Sequence, residues 1–203
     1  MASDVDIANL AIARLGSAAT VSSVDPADGS AIGARVHTFY PMVRDSLLEL
    51  KDWPFAMKRS ALSEYASSVV TPPIPYEYAY AVPSDMVVPV DLRNVEASDD
   101  TPPGRLYMEL LNDGRRVIYS DTENAVLRYK IRANDPTKYT PLFVDAFAWM
   151  LAGHLTGPVV GGDVKLAQYC IQMASNMLGV AVTSVFSGMN VPVDHNPVWL
   201  AKR

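Results

Sequence analysis

The side chains able to do acid–base, nucleophilic or metal chemistry are few and scattered. Three histidines stand far apart in sequence, His37, His154 and His195, and Cys170 is the single cysteine. Neither a His-Glu-x-x-His pair, nor paired cysteines, nor a calcium-type acidic loop occurs, so no metal set has the required ligand spacing. Gly157-Pro-Val-Val-Gly-Gly162 lacks the Gly-Lys-Ser/Thr ending that holds phosphates, and reads as a turn between helices. There is no Gly-x-Ser-x-Gly elbow, and Cys170 has no histidine partner in view, so a buried inert thiol is the simpler reading. Cleavage of a glycan strand would need two carboxyl groups flanking the bond. Glu64, Glu77, Glu109 and Glu123, each with an aspartate, could supply them, against the commoner explanation of solvated surface acids. No catalytic residue, cofactor or metal is therefore assigned.

The elements that would carry these residues belong to a chain of 203 residues, 49% hydrophobic and 19% charged, long enough for a substantial core. The net charge of −5, without a cluster of Lys and Arg, disfavours tight nucleic-acid binding. One cysteine allows no internal disulfide and fits synthesis in a reducing compartment. Asp4 and Asp6 near the start argue against a signal peptide. The uncharged run between Lys165 and Asp194 is broken by Gln168, Gln172, Ser175 and Asn176, so a soluble helix with an uncharged tail is expected and no membrane partner.

Ser3 can cap a helix over about 4–15, with Gly16 as its stop. A second helix begins near Ser30, where Ile32, Val36, Phe39, Val43, Leu47 and Leu50 recur at helical spacing through Pro41, a position expected to bend it. Arg44 and Asp45 form either a solvent-facing pair or a contact to a neighbouring subunit. Trp53, Pro54 and Phe55 make a corner, and a short helix over 54–63 is expected after it. Composition then shifts toward strands. Tyr76, Tyr78 and Tyr80 alternate with Glu77 and Ala79, and Met86–Val90 reads as an edge strand because of Pro89. Asn112-Asp113-Gly114 is the tip of a hairpin between 105–111 and 115–119, and 125–132 alternates as another strand. Thr140-Pro141 opens a core helix that Gly157-Pro158 should end. Asp163 caps a fourth helix to about Gly179, with Val164, Ala167, Cys170, Ile171, Ala174, Met177 and Leu178 inward. The stretch 183–203, with Gly188, Pro192 and Pro197, should be irregular.

Several blocks, in order, resemble the tail tubular protein A family, the head-to-tail connectors of short-tailed phages. They are the opening helix ending in Leu15-Gly16; Asp25 with Ser30-Ala31 and the Phe39-Tyr40-Pro41 helix; and Trp53-Pro54-Phe55-Ala56 with Arg59 and Leu62. Then come Tyr78-Ala-Tyr-Ala-Val-Pro-Ser-Asp85, and Asp135-Pro136 with Phe143. They cover about residues 4–180.

The resemblance implies a mainly α protein, a four-helix-type bundle formed by 1–66 and 136–182. A small antiparallel β-sheet is inserted at 67–135, and 183–203 forms an extended C-terminal arm. It implies a structural virion protein of the neck or tail, made in the host cytoplasm: a subunit of a twelve-fold homo-oligomeric ring on the portal protein, joining capsid to tail nozzle and letting DNA pass through its lumen. The arm then docks on the portal through Val185, Phe186, Val198, Trp199, Leu200, Lys202 and Arg203. Glu96, Asp99, Asp100, Asn112, Asp113 and Gly114 face the tail or a neighbouring subunit. Tyr40, Pro41, Arg44, Asp45, Trp53, Pro54 and Phe55 form the structural corner. The alternatives are a neck adaptor of a long-tailed phage and a peptidoglycan-acting virion component.

Overall fold

The computed structural model describes residues 2–96 and 102–187, with the backbone alone for 185–187. Among the described residues it contains four helices and two small antiparallel sheets, 44% helix and 20% strand, a mixed α/β fold broadly compatible with the expected helices plus a small sheet. Two compact units divide the chain: Met1–Asp4 with His37–Tyr139, and Val5–Val36 with Thr140–Arg203.

In the first unit, the C-terminal part of α2 (Ala31–Leu50) is followed by a single 3-10 turn, Pro54–Ala56, and then by strand β1, Met57–Ala61. The helix expected over 54–63 is absent because β1 pairs along its whole length with β6 (Ala125–Ile131), from Met57↔Lys130 to Ala61↔Val126. That long-range pairing gives the backbone its partners and outweighs local propensity. β3 (Met86–Asn94) flanks β6 on the other side, giving the order β1-β6-β3. As the proline requires, β3 is an edge strand, and its register shifts on either side of Pro89. The second sheet has the order β2-β5-β4, built from Tyr78–Ala81, Arg116–Ser120 and Tyr107–Leu110. The expected single sheet is therefore two.

The sheets share one apolar cluster. Tyr80 and Ile118 of the second meet Leu92, Ala125, Leu127 and Tyr129 of the first. On its other face the second sheet buries Val70, Ala79, Val117 and Tyr119, with Tyr65, Tyr76 and Leu111 packed alongside.

In the second unit, α1 (Asp4–Arg14) buries Ile7, Ala8, Ala11 and Ile12. α3 (Pro141–Val160) starts as the Thr140-Pro141 pair dictates, with Thr140 Oγ1 accepting from Phe143 N. Gly157-Pro158 does not end it. Pro158 lies in the last turn, where carbonyls lose their helical partners anyway, and the bond it omits falls on the carbonyl of His154, an exposed residue. Gly161 is the stop, in the left-handed region at φ 75°. α3 is long and apolar enough to cross a membrane, but half of its apolar window is buried within the protein.

α4 (Val164–Ser187) begins where Asp163 Oδ1 accepts from Lys165 N at 2.9 Å and Leu166 N at 3.2 Å. It runs past Gly179 to Ser187, so the expected irregular stretch from 183 is helical as far as it is described. A single helical glycine costs only about 1 kcal/mol, and the buried stripe of Cys170 and Ala174 continues beyond it to Ala181. Val164, expected inward, is 66% exposed, and Ile171, though its Cγ1 packs toward Gly153 of α3, is still 44% exposed. Residues of smaller volume take the inner face instead.

Candidate functional site

The corner is built around Trp53, which is buried and donates from Nε1 to the carbonyl of Leu47 at 2.9 Å. That bond satisfies a carbonyl in the last turn of α2 and fixes how the chain leaves the helix. Pro54 starts the 3-10 turn, and Phe55 stacks on Trp53 at 5.9 Å and tilts against Tyr139 at 5.3 Å. Tyr139 is itself anchored through its hydroxyl to the Ala133 carbonyl at 2.6 Å, and burial pushes its pKa up to about 12. Burial also raises the pKa of Tyr40, which belongs to the core. Pro41 is exposed and sits inside α2, which continues on both sides of it.

Arg44 and Asp45 are more than a surface pair. Arg44 Nε donates to Asp45 Oδ1 at 2.8 Å, and Asp45 Oδ2 receives Arg132 at 3.1 Å. Beside them, Lys130 is only 7% exposed. Its ammonium meets Asp52 Oδ1 at 3.0 Å and the Glu49 carbonyl at 2.9 Å, a cation on the C-terminal end of α2. A further triad joins Lys58 Nζ to Asp85 Oδ2 at 2.5 Å and the Tyr129 hydroxyl to Asp85 Oδ1 at 3.0 Å. Lys130, Arg132, Asp52 and Lys58 were missed from sequence. Alternation along β6 places Lys130 with the polar positions, and nothing local marks it for burial.

The hairpin tip forms as Asn112-Asp113-Gly114 requires, with Gly114 at φ 83° and its N–H on the Leu111 carbonyl at 2.9 Å. Asp113 turns back on Arg115, accepting from its Nε at 2.7 Å and its backbone N–H at 3.0 Å, which lowers the aspartate's pKa. The Arg115 guanidinium also lies 5.3 Å from the centre of the Tyr65 ring. The tip's charge is thus used internally. The strand leading to it is more available: all four residues of β4 are exposed, including Tyr107, Met108 and Leu110. β4 ends the order β2-β5-β4, whereas the outer side of β2 is covered by the Glu64–Tyr80 bridge and by Tyr65 N donating to the Ala79 carbonyl.

Glu96 lies in an exposed turn with its N–H on Asn94 Oδ1. Asp99 and Asp100 fall outside the described residues, as do Val198, Trp199, Leu200, Lys202, Arg203 and His195. Val185 and Phe186 are in the last turn of α4, their side chains outside the description.

Of the four candidate glutamates, all exposed, Glu123, Glu77 and Glu64 act electrostatically on the Tyr78 phenol, whose pKa is raised first by burial and then by these three charges. Glu109 sits apart, acting on Tyr119. His37 and His154 are exposed on their helices, with desolvation lowering the pKa of His154. Cys170 is buried and its thiol pKa is raised by that burial, the behaviour of a structural thiol. Among the described residues no group of three or more His, Cys, Asp or Glu is placed to hold a metal. No protein-family model matches the chain, and no curated protein matches it significantly.

Proposed function

We propose that this chain is a head-to-tail connector: a subunit of a homo-oligomeric ring that docks on a portal protein, carries the tail nozzle and surrounds the path of the DNA. The reading rests on the ordered series of blocks that resemble tail tubular protein A. The observation that supports it is apolar surface of the kind a ring subunit covers with neighbours: Tyr107, Met108 and Leu110 along β4, and Val164, Tyr169, Ile171 and Val180 along α4. Negative-stain microscopy of the protein alone and mixed with the portal protein encoded beside it tests the reading. A ring capping the portal near one-to-one stoichiometry is expected; no association under matched conditions would overturn it.

One observation bears on the peptidoglycan-acting alternative: Glu64, Glu77 and Glu123 all lie close enough to Tyr78 for their charges to raise its pKa. A zymogram decides it: clearing that vanishes in a Glu→Gln variant of this trio would replace the connector reading.

A further inference from the structure

The order β1-β6-β3 leaves an outer side on β1 and on β3, and β2-β5-β4 leaves one on β2 and on β4. Two of these are blunted. β3 carries Pro89 with a register shift on either side, and the Gly104 N–H donates to the Leu92 carbonyl at 2.8 Å. β2 is covered by the Glu64–Tyr80 bridge, by the Tyr65 N–H on the Ala79 carbonyl and by its own Ala81 N–H on the Ser63 carbonyl. β4 and β1 instead keep an unbroken register with one partner each. Facing residues of an antiparallel ladder alternate between bonded and non-bonded pairs. The Leu111 N–H donates to the Arg115 carbonyl in the pair that continues β4 and β5. Tyr107 and Glu109 therefore turn their backbone groups toward β5, while Met108 and Leu110 turn theirs outward. Likewise the Leu62 N–H on the Ala125 carbonyl sets Lys58 and Ser60 toward β6, and Arg59 and Ala61 outward. All of these outward residues are exposed.

The two open edges differ in charge. Glu109 is the single acid of β4, whereas β1 carries Lys58 beside Arg59 and no acid. β1 against β1 would oppose cations, and β4 against β4, centred on Glu109, would oppose carboxylates. β4 against β1 brings Glu109 to Lys58 instead. The Lys58 ammonium has three donors; its contacts with Asp85 and Tyr129 leave one for a second carboxylate, and its side chain is 50% exposed. We infer that β4 of one copy of this chain adds to the β1 edge of the next, through the outward backbone groups of Met108 and Leu110 and of Arg59 and Ala61. The paired surfaces are different, so the contact is head-to-tail and repeats from copy to copy. The inference deepens the connector reading, on which it rests for closure of the series into a ring; the strand pairing itself needs no portal.

Isotope-labelled and unlabelled full chain, mixed, concentrated alone or bound to the portal protein, and treated with a zero-length carbodiimide, tests it by mass spectrometry. An amide between Glu109 and Lys58 with one labelled and one unlabelled half is expected. Met108→Pro removes one outward N–H where an edge strand tolerates proline. It should weaken self-association, read by sedimentation, roughly tenfold, the loss of a hydrogen bond, with an unchanged thermal melt. Glu109→Lys, at an exposed side chain, should weaken it without touching the backbone. Absence of the mixed link in both preparations overturns the inference, and so does self-association indifferent to both variants. Rings that cap the portal without the mixed link would sink the strand pairing and leave the connector reading standing. A mixed link in the chain alone, with no portal binding, would support the pairing and overturn the connector reading.

Discussion

In the helical unit α3 and α4 approach over small side chains: a Cβ added at Gly153 would lie 3.0 Å from Ile171 Cγ1, and the buried stripe of α4 is Cys170, Ala174 and Ala181. In the β unit the joints are charged and aromatic instead, with Lys130 on Asp52, Arg132 on Asp45, Asp85 between Lys58 and Tyr129, and Trp53 on the Leu47 carbonyl. The free surface differs too. Among the described residues, the helical unit exposes apolar residues chiefly along α4, and the β unit exposes them along β4, the last strand of its sheet. One unit is thus suited to bury a helix face and the other to extend a sheet, and two surfaces of different geometry can serve two different partners.

The largest effects should therefore separate cleanly. Deleting 188–203, which leaves α4 whole, is expected to abolish portal binding, while Leu110→Asp on β4 should impair tail attachment and leave portal binding unchanged. Pull-downs with each partner check both. Loss of the same partner in both variants would break the correspondence between unit and partner.

Trp53→Ala should cost the β unit about 3–5 kcal/mol, the range for a large buried aromatic. It also leaves the Leu47 carbonyl without its donor. Chemical denaturation followed by circular dichroism measures this. A loss under about 1 kcal/mol would mean that the corner is held by Phe55 against Tyr139 rather than by the indole.

Much of this architecture is legible in the sequence where a single residue type carries a local geometric demand. Thr140-Pro141 and Asp163 start helices, Asn112-Asp-Gly114 turns a hairpin, and Pro89 confines β3 to an edge. What escapes is decided by partners distant in sequence. Met57–Ala61 has no strand alternation and becomes β1 only because β6 offers it an edge. Lys130 is buried because Asp52 and the end of α2 come to meet it. The row of Arg59, Arg128 and Asp91 exists only through strand register, which no local pattern encodes. The resemblance could name the corner, but not the ion pairs that hold it.

A smaller loss is expected from Arg14→Ala in the helical unit. Arg14 pairs with the Asp145 side chain, donates to the Asp145 carbonyl at 2.7 Å, and lies over the Trp149 ring at 4.2 Å. Trp149 in turn meets Tyr169 edge-on, so one guanidinium serves α1, α3 and α4. With its side chain 13% exposed, its removal should cost about 1.5–3 kcal/mol, the range for hydrogen bonds to charged groups. Arg14→Lys should restore only part, because a point charge cannot reproduce the fork or the flat contact with the indole. Full restoration by lysine in denaturant unfolding would reduce the interaction to simple charge pairing.

The smallest effect tests whether the charged joints of the β unit carry pH dependence. Lys58, then Tyr129, holds the Asp85 carboxyl below its ordinary 3.8, and Asp85 in return raises Lys58 above 10.5. A depressed carboxylate contributes stability that is present above 3.8 and is lost as pH falls through the folded-state value. A raised lysine contributes stability that is present below 10.5 and is lost as pH rises through its folded value. Both groups are exposed enough for solvent to screen them, so the contribution is slight. Urea midpoints of the native chain and Asp85→Asn should differ at neutral pH and converge as pH drops below 3.8, and salt should narrow the gap. A gap that persists at acid pH would show that Asp85 acts through its neutral hydrogen bond with Tyr129, making this joint as insensitive to charge as the alanine-lined contact of α3 with α4.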